Sequence, residues 1–394
     1  MNINTMNISH STKNLEVGYF KPDWCDYTDL HKNVRSEIER IINDFFQRKR
    51  EVRVPIIVAP FGAGKSTLLR YLAWNYWKRG IPALKVNLSV IVDLIENRLK
   101  EEGKSKESED KLSEYFIKYF QRRMKELEDH IKNNRIEEAQ KMLSEFVDMH
   151  ISENILKYLE KNSWNDILEI INKANKVGLL LIDEVEEAFS RLVKIVHYQT
   201  SPLRGVFDDI YEHRIDYMIV FAYGPRTIAM ELVSGITWRI QTFTIPPIPM
   251  KYIHKRLSRK LEELLKELSD KEKKLLIRAL SNTVWWLSRG NAARATKIMD
   301  SGIIFELAHL LKDVLLDKKD VSEIYGEICF NSKFTHIFSE EIVERIPIFS
   351  IDLFEKYYRI LLQRNEKEAY LLTLLTLLPV SYTHLRAHET EADL

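Results

Sequence analysis

Apolar residues early in the chain recur at helical spacing: Val34, Ile38, Ile41, Ile42, Phe45 and Phe46 form one stripe, predicting an amphipathic helix over residues 30–50. The pattern then changes period. Residues 53–59, RVPIIVA, make a short β-branched run that ends in a glycine-bearing loop, and residues 65–78 return to helical character. A second strand is expected over 83–92. The next stretch, 93–176, is charged and nearly free of glycine, with Leu112, Tyr115, Phe116, Tyr119 and Phe120 at helical spacing, and reads as a helical insertion. Residues 177–182, VGLLLI, are continuously apolar, as a parallel strand buried on both faces must be. A helix over 186–197, a strand over 217–222 and another over 241–245 follow, before Pro246, Pro247 and Pro249 break the chain. From 252 to 315 the pattern is helical, interrupted only at 288–291.

Strands alternating with helices predict an α/β fold, a three-layer αβα core with a parallel sheet and a long helical insertion, followed by an all-α domain. The expected divisions are an N-terminal extension at 1–29, the core at 30–248 with its insertion at about 93–176, the helical domain at 249–316, a helical C-terminal region at 317–379, and 380–394. That last segment begins VSYTHLRAHET and resembles the translation of a sequencing adapter. It is set aside as non-native, with the gene cut near Pro379.

Charge and cysteine content narrow the class rather than the fold. Among 394 residues, 59 basic side chains face 58 acidic ones, so global charge gives no reason to expect a polyanion-coating protein. Cys25 and Cys329 lie far apart without His or Cys neighbours at ligand spacing, which argues against a disulfide framework or a zinc site and for the reducing cytoplasm. The N-terminus lacks an apolar signal region and the longest apolar stretch, 370–379, is too short to span a bilayer, so no membrane partner is expected.

The chemistry concentrates in two segments. Ala59-Pro60-Phe61-Gly62-Ala63-Gly64-Lys65-Ser66-Thr67 matches the Walker A pattern except that Ala59 replaces its first glycine. Small residues let successive backbone N–H groups turn inward around phosphates. Lys65 would reach the β- and γ-phosphates, Ser66 would hold Mg2+, and the helix beginning there would present its positive end to the anion. The second segment, Leu179-Leu180-Leu181-Ile182-Asp183-Glu184, is a hydrophobic strand ending in two acids, the Walker B pattern. Asp183 would hold the magnesium shell at the strand's C-terminal edge, and Glu184 would act as general base on water. Glu186 and Glu187 are assigned to charge at a helix N-terminus. ATP and Mg2+ are the expected cofactors.

On GAGKST at 62–67 and LLLIDE at 179–184 the chain resembles the AAA+ class of P-loop ATPases, over roughly 30–315. Beyond those motifs it is loosely similar to archaeal replication initiators and to BREX-type phage-defence ATPases. The resemblance implies hydrolysis of ATP to ADP and phosphate, with the helical domain as a lid. It places a γ-phosphate sensor near Tyr223, where no Asn or Thr stands and Tyr223 or Arg226 would have to substitute. It also implies a catalytic arginine finger at Arg239, reaching a neighbouring subunit of a homo-oligomer, with a surface ion pair as the alternative. Arg294, in Gly290-Asn291-Ala292-Ala293-Arg294, would be a second sensor contacting the phosphates, although one extra residue separates it from the glycine.

What hydrolysis drives is open to two readings. One is a DNA-associated process, with Lys251, His254, Lys255, Arg256, Arg259 and Lys260 as a basic helix able to meet phosphate backbone. The other is a signalling switch of the STAND kind that assembles protein partners.

Overall fold

A computed structural model describes residues 32–147, 163–228, 236–300, 302–316 and 318. The expectations for the N-terminal extension, both cysteines, most of the C-terminal region and the adapter-like tail lie outside these residues. The chain divides into two units, 1–246 and 247–394, so the boundary falls between Pro246 and Pro247, within the proline cluster that the sequence marks as a break.

The first unit is an α/β unit built on a five-stranded parallel sheet. Its strands are β1 (Val54–Val58), β2 (Ala83–Asn87), β4 (Gly178–Asp183), β6 (Tyr217–Tyr223) and β7 (Ile240–Thr244), arranged β2-β4-β6-β1-β7. β4 and β6 are buried along their whole length, which is why their sequences run apolar without alternation. Pro55 within β1 is tolerated for a reason visible in the register. Val54 N–H donates to Arg239 O on the β7 side and Ala59 N–H to Tyr223 O on the β6 side, so the missing N–H of Pro55 would point toward β6. Pairing with β6 begins only at Ile56, and no ladder bond is lost.

Side chains alternate across β6 and so report which helices cover which face. The Tyr217 ring meets Phe120, Phe221 meets Phe116 and Phe207, and Tyr223 meets Phe189. These partners sit on the helices Leu112–Lys132, Val185–Ile195 and Arg204–Tyr211, which therefore form one layer. The helices Lys32–Phe46 and Lys65–Lys78 pack on the strands as another layer. They are tied together where the Tyr76 hydroxyl meets Glu39 O at 3.2 Å and Asn43 Oδ1 at 3.1 Å.

The strand order fixes where a crevice must open. From β1 the chain crosses to the far edge at β2, then returns through β4 and β6 and passes β1 to reach β7. With right-handed crossovers, the helix leaving β1 covers one face and the helices leaving the other strands cover the opposite one. The loops therefore part at the C-terminal end of β1, the place where open α/β sheets bind ligands.

Several elements differ from expectation. The second strand stops at Asn87, and the helix Leu88–Glu101 replaces its predicted continuation to 92. Leu88, Ile91, Val92, Ile95 and Leu99 are buried at helical spacing, a period masked by the apolar run that precedes them. The insertion carries helices Leu112–Lys132, Ile136–Val147 and Ser163–Lys173, but also a two-residue strand β3 (Glu107–Ser108) parallel to β5 (Val196–His197). The Glu107 carboxylate anchors β3 by accepting from the Tyr115 hydroxyl at 2.7 Å.

The second unit contains helices Met250–Lys260, Glu262–Leu265, Asp270–Ser288, Ala292–Asp300 and Gly302–Leu315. The break at 288–291 is a close approach. A Cβ on Gly290 would lie 2.5 Å from Pro247 Cβ, and φ there is +69°. Ile248 N–H donates to Gly290 O at 2.8 Å and the Trp285 indole to Ile248 O at 3.0 Å. Among the described residues no helix is long and apolar enough to cross a membrane.

Candidate functional site

The loop from Ala59 to Gly64 joins β1 to the helix Lys65–Lys78. Gly62 (φ 76°) and Gly64 (φ 105°) take left-handed conformations that an L side chain adopts only under strain. Gly64 stands at the N-cap and offers no side chain to cap the helix's first N–H groups. Pro60 and Phe61 are exposed at the tip, Phe61 almost completely, whereas Ala63 is buried and its N–H donates to Pro60 O at 3.3 Å. Ser66 and Thr67 occupy the helix's first turn, half-buried.

Lys65 does not extend into solvent. Its ammonium donates to Ala59 O at 2.7 Å and pairs with Glu186 Oε1 at 3.5 Å. Glu186 stands in the first turn of Val185–Ile195, where it supplies the charge expected at a helix N-terminus, and it is also a partner of Lys65. Gly224, just past β6, backs this carboxylate: a Cβ there would meet Glu186 Cγ at 2.9 Å and Cδ at 3.0 Å.

β4 delivers the acids to the same edge of the sheet. Asp183 ends the strand, buried, with Oδ1 accepting from Glu184 N–H at 3.0 Å and Oδ2 paired with Lys85 Nζ at 3.0 Å. Glu184 has φ 52°, the left-handed region for a residue with a full side chain, a strain of order 1 kcal/mol that the surroundings must hold. Asn87, at the tip of β2 and directly across the ladder from Asp183, donates its amide to Glu184 Oε2. The helices that start beside Asn87 and Glu184 are pinned to each other by Arg191, which reaches Glu96 Oε2 at 2.8 Å and Asp93 Oδ1 at 2.5 Å. Its hydrogen bonds to Glu96, then Asp93, hold that guanidinium still more firmly in the charged form.

The arrangement therefore gathers Lys65 and Glu186 at the end of β1, and Asp183, Glu184, Lys85 and Asn87 at the ends of β2 and β4. Lys85, Asn87 and Gly224 were missed in the sequence. Lys85 and Asn87 gave a weak signal, two polar residues at alternate positions in an otherwise apolar strand.

Other expected members lie elsewhere. Tyr223 is fully buried, its ring packed on Phe189 and Phe221, which makes it a core residue. Arg226 is exposed at the start of the helical segment that follows. Arg239 is not brought to this loop. Its carbonyl pairs with Val54, so it stands at the opposite end of β1, roughly 13 Å of strand away. Its guanidinium is paired with Asp208 and lies 3.7 Å from the centre of the Trp238 ring. Within its own chain this arginine is buried and forms an ion pair, the alternative that the sequence left open. Arg294 belongs to the second unit, where its N–H is capped by Asn291 Oδ1 at 3.1 Å. In the basic helix, Arg256 and Lys260 are paired with Asp300, while Lys251, Lys255 and Arg259 share an exposed face at i, i+4, i+8 spacing.

Among the described residues no group of three or more His, Cys, Asp and Glu is placed to hold a metal. The oxygen donors at hand, a hydroxyl at Ser66 and a carboxylate at Asp183, fit a hard cation such as Mg2+, which commonly takes one or two protein ligands and completes its shell with phosphate and water. The chain matches no protein-family model, and no curated protein matches it.

Proposed function

We propose that this protein is a P-loop ATPase of the AAA+ type that hydrolyses ATP to ADP and phosphate. The observation that carries the reading is the glycine loop with Lys65 at a bare helix N-terminus on β1, at the same sheet edge as the Asp183–Glu184 end of β4. One strand, β6, separates β1 from β4, and in this reading the phosphate chain would lie between loop and acids.

In this reading the N–H groups of the loop and first helical turn hold the phosphate oxygens, and Lys65 leaves Glu186 to neutralise them. When bound, Mg2+ would supply charge neutralisation at the phosphates, with Ser66 and Asp183 as its protein ligands. Glu184, fixed by Asn87 and by its own strained backbone, orients and deprotonates the attacking water. Arg294 is proposed as a phosphate-sensing arginine of the helical unit, which would act as a lid. The coupled process is proposed to be DNA-associated, on the strength of the exposed face of Lys251, Lys255 and Arg259.

The test is steady-state ATP hydrolysis with and without duplex DNA, beside Lys65→Ala and Glu184→Gln. Turnover that both substitutions abolish, with nucleotide binding kept in Glu184→Gln and lost in Lys65→Ala, is the expected result. DNA stimulation supports the coupling. Binding with negligible turnover in either condition would favour the signalling switch, and no binding at all would overturn the reading.

A further inference from the structure

Lys85 is the charged group at this edge for which the nucleotide reading has no use. It lies in mid-strand between Leu84 and Val86, and its position in the ladder is opposite Leu181, two residues before Asp183. Its side chain runs forward along the sheet and delivers its ammonium to Asp183 Oδ2 at 3.0 Å, at the C-terminal end of β4. Both partners are almost sealed, with side chains 6% and 3% exposed.

A carboxylate this buried is stable only with a positive partner, and an apolar pair of the same volume would serve packing as well. Oδ1 accepts from the N–H of Glu184 and Oδ2 holds the ammonium, so a cation bound to this carboxylate has to share its charge with Lys85. A divalent ion bound there would stand within a few ångströms of the ammonium, and in such a dry setting the two would repel strongly.

We propose that Lys85 and the divalent cation are alternative counter-ions of Asp183. The ammonium keeps the carboxylate in place without metal and yields when metal arrives, so Lys85 is a positioning residue that sets how readily the site takes a metal. The inference borrows from the ATPase reading only the expectation of a divalent ion at Asp183.

Its test uses Mn2+ alone, without nucleotide, on the full chain, reading bound ion by electron paramagnetic resonance and the unfolding temperature in parallel. Lys85→Met should bind Mn2+ about tenfold more tightly than wild type, an order set by removing a like charge at close range. Its unfolding temperature should rise on adding the ion by several degrees more than that of wild type at the same Mn2+ concentration. Lys85→Arg, which keeps the charge, should behave as wild type, and adding Asp183→Asn to Lys85→Met should cancel the gain. Should Lys85→Met fail to fold in metal-free buffer, recovery of the fold on adding millimolar Mn2+ supports the exchange, and failure to recover overturns it. Equal Mn2+ affinity in wild type and Lys85→Met also overturns it. Nucleotide binding by wild type, measured separately, decides the ATPase reading, so the two failures are distinguishable.

Discussion

Replacing Gly224 by alanine separates a cost to the fold from an effect on the site. The backbone there is outside the left-handed region, so alanine meets no conformational penalty, and the whole effect comes from where its Cβ points. That carbon would stand 2.9 Å from Glu186 Cγ and 3.0 Å from Cδ, closer than packed atoms tolerate. The obstructing group is the end of a flexible side chain 36% exposed, which can swing into water. The stability loss should therefore stay below about 1 kcal/mol, under the 1–3 kcal/mol typical of overpacking against a fixed neighbour.

The displaced carboxylate is the one paired with Lys65 at 3.5 Å. A bare Coulomb estimate at an effective dielectric of about 20 gives several kcal/mol for that pair, but exposed pairs measure below about 1 kcal/mol once hydration and side-chain entropy are included. Freeing Lys65 should thus tighten nucleotide binding by no more than about fivefold. Urea denaturation and titration with a fluorescent ATP analogue measure the two quantities. Glu186→Ala should give the same gain in affinity and, because it removes the obstruction, should erase the stability cost of Gly224→Ala in the double variant. A stability loss above about 3 kcal/mol, or additive costs in the double variant, would refute the reasoning, since either means that Glu186 is not what the new carbon meets.

Gly205 gives the opposite case. A Cβ there would collide with the Glu109 carbonyl, whose carbon is 2.9 Å away, and backbone cannot swing aside; Gly205→Ala should cost about 3 kcal/mol in urea denaturation, whereas Gly302→Ala, with nothing within 4 Å among the described residues, should be neutral or stabilising. Asn87→Ala removes one hydrogen bond that orients Glu184 without touching the glycine loop, so turnover should fall about tenfold at unchanged nucleotide affinity, as read from single-turnover kinetics. Burial pushes up the hydroxyl pKa of Tyr76, and that of Tyr115 is raised by burial and then by its bond to Glu107. The unfolded chain thus loses these protons first, near pH 10, and stability should fall as pH rises above that value. Tyr76→Phe should flatten the alkaline limb of the unfolding-temperature profile, and an unchanged limb would count against the burial argument.

What could be read from the chain and what could not divide by the distance over which each feature is encoded. The glycine loop with Lys65 and Ser66, and the strand end with Asp183 and Glu184, are contiguous segments whose residue types already state a local geometry, and the structure places both at one edge of the sheet. The counter-charges are different. Lys85 meets Asp183 only because β2 pairs with β4 in one particular register, and a slip of one residue would turn that lysine to the other face. Glu186 meets Lys65 only because β6, contributed by a distant part of the sequence, sets the spacing between β1 and β4. Arg239 shows the same limit from the other side. Its position before β7 was legible, but Asp208 and the Trp238 ring, which hold its guanidinium, come together only through the packing of the helix Arg204–Tyr211, an element the residue pattern did not announce. Local motifs thus name the groups that would act on a ligand, while tertiary register chooses the groups that restrain them. Substitutions at Lys85, Asn87, Glu186 and Gly224 should accordingly alter affinity, metal dependence and rate separately, whereas substitutions within the glycine loop should remove them together.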